Sequence, residues 1–149
     1  MSLAILRQQL AAVVAGTPSS TPGLPTGMAT LDAMLPGGGV PRGRLTELLA
    51  PAGLGKTTLA RSLVAATIRG GGGVAWIDAT RTLDPRDWSA DSAAYDALWV
   101  VRPGDPARGP WCADLLLRSA AFALVVLDGA PVLPRTVAVR LTQLARESD

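Results

Sequence analysis

The stretch RLTELLAPAGLGKTT, residues 44–58, decides how this chain folds. Its first half, residues 44–50, reads as a buried strand entering a glycine turn. Its second half, A-x-x-x-x-G-K-T over residues 50–57, is the phosphate-loop pattern with Ala50 in the first glycine place. Residues 56–69 then read as a helix, stopped by the glycines at 70–73. The chemistry follows from the order of these parts. Backbone N–H groups of the loop Ala50, Pro51, Ala52, Gly53, Leu54, Gly55 and of the helix start would point inward and bind phosphate oxygens. Gly53 and Gly55 let the backbone approach with no Cβ in the way. Lys56 would reach the β- and γ-phosphates of ATP, or the β-phosphate of ADP, Thr57 would ligate Mg²⁺, and Thr58 follows them on the helix. Alanine at position 50 would cost about 1 kcal/mol or more if the site needed positive φ. A chance glycine turn before a helix is the bland alternative, and the strand–loop–helix context disfavours it.

Lys56 is the only lysine; every other basic side chain is arginine. A chain so biased keeps lysine where a compact ammonium on a thin stem is needed in place of a planar fork. The remaining composition is permissive. At 149 residues, 48% hydrophobic and 17% charged, the chain can bury one core and is not disordered. Fourteen basic and 12 acidic residues leave a net charge of +2. The arginines are scattered, so only weak, salt-sensitive contact with DNA phosphates is expected. There is no histidine and one cysteine, Cys112, which excludes the usual zinc sites and an internal disulfide. No apolar run reaches the length of a membrane span, and Arg7, Gln8 and Gln9 break what would be a secretory core. A cytoplasmic protein is expected.

Outward from the loop, leucines at 3, 6 and 10 predict an amphipathic N-terminal helix over residues 3–15, suited to its own core or to self-association. Residues 16–25 read as a flexible connector, and residues 26–149 as the core domain. A short helix is expected over residues 26–35, ended by Pro36. Strands are expected at GVAWIDA (73–79), ALWVVRP (97–103) and ALVVLD (123–128), with helices within 84–95, 110–121 and 135–147. Apolar strands alternating with helices indicate an α/β fold with a mostly parallel sheet covered on both faces. Asp128 ends the ALVVLD strand. Alone it would be a strand end at a turn; after a phosphate loop it reads as the acid that holds the Mg²⁺ hydration shell.

Three stretches together resemble the RecA family: LPTGMATLDAMLPGGGVPRGRLTELLAPAGLGKTT, GVAWIDATRTLDP and ALVVLD, within residues 24–130. Inside that family the LPTG…LPGGG-PRGR-TE pattern is most similar to ImuA, a RecA-like accessory protein of SOS translesion synthesis. The resemblance implies a RecA-like P-loop core and gives Lys56, Thr57 and Thr58 the phosphate and magnesium roles, with Asp128 as the Walker B acid. It puts Asp84 where recombinases contact the adenine amino group. Trp88 falls near their adenine-stacking tyrosine, with packing of a helix as the equal alternative.

The family places a water-activating glutamate after I-D-A, where this chain has Thr80. A threonine hydroxyl is no general base near neutral pH. Asp78 points to the same strand face but sits further back. ATP binding with very poor hydrolysis is the expectation. The resemblance also implies a helix and strand beyond residue 128, the strand lying between the Walker A and Walker B strands. A core truncated after the Walker B strand and its following helix is therefore expected. Its strands would close up in the order 97–103, 73–79, 123–128, 44–50, or dock on a second protein. What the resemblance implies for function is an accessory role in translesion synthesis. Its partners would be a Y-family polymerase-like protein, an error-prone DnaE-type polymerase or RecA, near the nucleoid. The alternatives are a DNA-dependent ATPase or recombinase, a small-molecule kinase, and a RecA-like cell-division regulator.

Overall fold

The computed structural model describes residues 21–84, 86, 88 and 96–149. Among these, the elements run α1 (Ala29–Met34), α2 (Lys56–Arg69), β1 (Val74–Asp78), β2 (Leu98–Val101), α3 (Gly109–Arg118), β3 (Leu124–Asp128) and α4 (Arg135–Glu147). The helix expected over residues 3–15 lies outside the described residues. So do the first part of the connector and most of the helix expected within 84–95.

The three strands form one parallel sheet in the order β2-β1-β3. Val74 to Asp78 are all buried, which fits a central strand flanked on both edges and covered on both faces. The pleat divides its side chains between two layers. Val74 and Trp76 pack with Leu124 and Val126 against Ala60 and Val64 of α2. Ile77 packs with Val125 and Leu127 against Cys112, Ala113 and Leu141 of α3 and α4. The phosphate-loop helix therefore covers one face alone, and the strand ends beside its start face it through the even-numbered positions of β1 and β3. α2 earns its place by spacing: Ala60, Leu63, Val64 and Thr67 form one buried stripe.

α1 is tied to the same layer by its approach. The backbone N–H and Oγ1 of Thr26 both donate to Asp32, at 2.8 and 2.7 Å. A Cβ on Gly27 would stand 2.6 Å from the Ser62 hydroxyl of α2, so only glycine lets the chain pass there.

One expectation is corrected. Residues 44–50 form no strand, and the sheet has three strands where four were expected, the first three in the expected order. Leu45, Leu48 and Leu49 are exposed, Leu49 to 80%. At one end a Cβ on Gly43 would meet Asp149 and Arg146 at the close of α4, and at the other end Ala50 enters the phosphate loop. An apolar run becomes a strand only against a pleated surface that pairs with it. Among the described residues β3 leaves its outer edge unpaired, and residues 44–50 are not hydrogen-bonded to it.

Candidate nucleotide-binding site

The phosphate loop takes the shape its glycines allow. Gly53 and Gly55 have φ of 79° and 81°, and a Cβ on either would meet nothing within 4 Å. Ala50 is not among the residues with positive φ, so its side chain carries no backbone strain there. Gly55, left-handed, is the N-cap of α2, and no side chain among the described residues caps that helix. The first N–H groups of a helix have no partner within it, and here they open onto the loop. The first helical bond, from Leu59 N–H to Gly55 carbonyl, is 2.9 Å. Lys56, Thr57 and Thr58 are exposed at this terminus. A cleft of about 580 Å³ opens beside the loop, lined by Leu48, Leu49, Ala50, Leu54, Lys56 and Thr58 among others. Uncapped N–H groups, an open glycine bend and an exposed ammonium fit a bound phosphate chain.

The strand ends supply the acids. Asp78 and Asp128 stand opposite each other in the β1–β3 register, and the Ala79 N–H donates to the Asp128 carbonyl at 3.1 Å. Burial pushes the Asp128 carboxyl above its ordinary range and the neighbouring Asp78 adds to this; the Gly129 N–H and Lys56 pull it back down. Lys56 and Asp128 thus share one field. Among the described residues no cluster of three or more acidic, cysteine or histidine side chains could hold a metal by itself. A magnesium ion here would depend on phosphate oxygens, with Thr57 and Asp128 as the protein's share.

Asp78 is fully buried and committed to structure. Its carboxylate accepts from the backbone N–H of Thr82 at 2.9 Å, from that of Leu83 at 3.3 Å, and from Arg102 Nε at 2.9 Å. Arg102 also donates to the Leu83 carbonyl at 2.7 Å. The strand has not shifted to present Asp78 in place of the family's glutamate. Thr80 lies beside the end of β3: a Cβ on Gly129, directly after Asp128, would lie 2.5 Å from its methyl group. Its hydroxyl is 3.2 Å from that of Thr82. Arg102 and Gly129, which lock this corner, were not singled out from sequence. Nothing in a single chain marks an arginine after β2 as the partner of an aspartate 24 residues earlier.

The two expected base contacts are placed apart from the cleft, which neither lines. Asp84 accepts three bonds from the Arg86 guanidinium, at 2.8 to 3.2 Å, and Arg86 holds its carboxyl below the ordinary range. Trp88 takes the packing role. It is 7% exposed, meets Trp76 edge-on at 5.3 Å, and has the Arg61 guanidinium 5.2 Å over its ring.

The model of the RecA N-terminal domain matches residues 10–139. Protein RecA of Tropheryma whipplei (strain Twist) is 41% identical over 113 residues, which cover 75% of this chain and 26% of that protein. Protein RecA of Salinispora tropica and that of Clavibacter michiganensis subsp. michiganensis are each 42% identical over 113 residues, covering 75% of this chain and 32% and 31% of those proteins. The chain thus spans about a third or less of the length of these curated relatives. With a phosphate loop opening α2, a β3 strand ending in Asp128 and a parallel β2-β1-β3 sheet between helices, the chain belongs to the RecA N-terminal domain family.

Proposed function

We propose that this chain is a RecA-like accessory protein of damage-induced translesion synthesis that binds ATP or ADP with Mg²⁺ and hydrolyses ATP poorly. The observation that supports binding without cutting is the corner at Asp128. Thr80, to which the resemblance gives the family's glutamate position, sits against Gly129, and Asp78, opposite Asp128 in the register, has its oxygens engaged by three donors. A bound magnesium ion would supply neutralisation of phosphate charge. The protein's own part is positional. Uncapped N–H groups of α2 and Lys56 hold the phosphates, Thr57 and Asp128 orient the metal's shell, and no side chain takes a proton from water. On the base side, Asp84 would reach adenine only by exchanging Arg86 for it.

The translesion role rests on the ImuA resemblance of residues 24–58. It brings with it a cytoplasmic, nucleoid-associated setting, a Y-family polymerase-like protein or DnaE-type polymerase as partner, and DNA contact that is weak or indirect. The exposed leucines of residues 44–50 and the open edge of β3 are where a protein partner would add a strand. A second reading, a DNA-dependent ATPase or recombinase, is favoured by the name RecA on the relatives. Steady-state ATP turnover with and without single-stranded DNA separates the two. Wild type should be slow in both, and Thr80→Glu should raise turnover by about a hundredfold or more, the reach of a positioned general base. DNA-stimulated turnover in wild type that vanishes in Lys56→Ala would establish the second reading instead.

A further inference from the structure

Trp76 carries the one buried side-chain polar atom that lacks a partner among the described residues, its indole Nε1. Native interiors rarely leave such a donor unmet, because it gives up water and gains nothing. The ring itself is fixed. Trp76 is 2% exposed, sits in the central strand, and is braced edge-on by Trp88. In the parallel register Trp76 lies opposite Val126, so Asp128 is its diagonal neighbour on the same face, the face that carries α2. A diagonal neighbour two residues on is within reach of a long aromatic side chain. The indole N–H closes no hydrogen bond with the Asp128 carboxylate or with any other group among the described residues. A donor held in a rigid ring, next to the acid that faces the uncapped end of α2, is a group kept for that acid.

We propose that Trp76 is a positioning residue for Asp128: its indole N–H holds one carboxylate oxygen and leaves the other for the magnesium shell. This rests on the nucleotide-binding reading for its purpose, but not for its geometry. Partners of this kind orient a metal-holding carboxylate, and losing one weakens metal affinity by about 10–100-fold.

Two measurements test it on the whole chain. In a ¹H–¹⁵N spectrum of the four tryptophan indoles, Trp76→Phe identifies the Trp76 signal by its loss. Asp128→Ala, which removes the acceptor, should then move that signal and leave those of Trp99 and Trp111 in place. An unmoved Trp76 signal overturns the proposal. The second measurement is ADP affinity with and without Mg²⁺. Trp76→Phe should leave affinity without magnesium unchanged and cut the gain from magnesium by about tenfold or more. Equal losses under both conditions would show a packing role and overturn it. If the chain binds no ADP at all, the nucleotide reading fails while the indole spectrum still decides the Trp76–Asp128 contact.

Discussion

Replacing Asp78 by asparagine separates a structural carboxylate from a catalytic one. The side chain keeps its shape, but its charge goes and one oxygen becomes an NH₂ group. Of three bonds accepted now, the one from Arg102 is charge-assisted at 2.9 Å, and such a bond contributes about 1.5–3 kcal/mol. The new NH₂ also faces a donor, leaving one buried N–H unmet at about 1–3 kcal/mol. Arg102 is 39% exposed and regains water, so the full penalty of a stranded buried charge does not apply. The sum is about 2.5–6 kcal/mol, on the order of 10 °C in Tm for a chain of this size. Urea and thermal unfolding of Asp78→Asn against wild type measure it. Because the 79–83 turn hangs on this carboxylate, the loss should appear as stability, with residual ATP turnover of the folded fraction unchanged. A variant as stable as wild type but with its ATP turnover abolished would refute the reasoning and make Asp78 the general base.

Lys56→Ala should abolish most nucleotide affinity, by about a hundredfold or more from the loss of charge-assisted contacts. Its stability should stay within about 0.5 kcal/mol of wild type, since Lys56 is exposed and in no ion pair among the described residues; calorimetry and urea melts check the two halves. Gly129→Ala should destabilise by about 2–4 kcal/mol in urea melts. The position has φ of 75°, and the new methyl would press on Thr80 at 2.5 Å. Asp114, paired with Arg140 and with Arg118 at 2.8 Å, is held below its ordinary range by Arg140 first. A depressed folded value gives stability that is present above the unfolded value, about 3.9, and is lost as pH falls through the folded one. Unfolding between pH 2 and about pH 5 should therefore show a fall that Asp114→Asn flattens.

Where local chemistry decides, the sequence was enough. The bounds of α2 follow from Gly55 and Gly70 as N-cap and C-cap, and α4 occupies its expected span because its apolar spacing faces α3. The positive φ of Gly53 and Gly55, and Asp128 at the end of β3, could be read from motif and context. Residues 44–50 could not be read, because a run such as LTELL is a strand only if a neighbouring strand accepts it, and that is a property of the sheet's edge. Asp78 and Trp88 failed to separate into roles for a related reason. Whether an aspartate is free or engaged depends on Arg102, far along the chain, and whether a tryptophan stacks or packs depends on what covers its ring. Trp76 was invisible as anything but an apolar core residue, since the meaning of its N–H lies in the strand register.

The central claim is that a lysine at a glycine bend grips a nucleotide that the protein then leaves intact. One isothermal titration of ATP with Mg²⁺ into the folded chain sees both halves, because binding gives a brief heat at each injection and hydrolysis gives a sustained one. Binding heat without sustained heat is predicted, the former lost in Lys56→Ala. Sustained heat that disappears in that variant, or no heat from either ATP or ADP, would contradict the account.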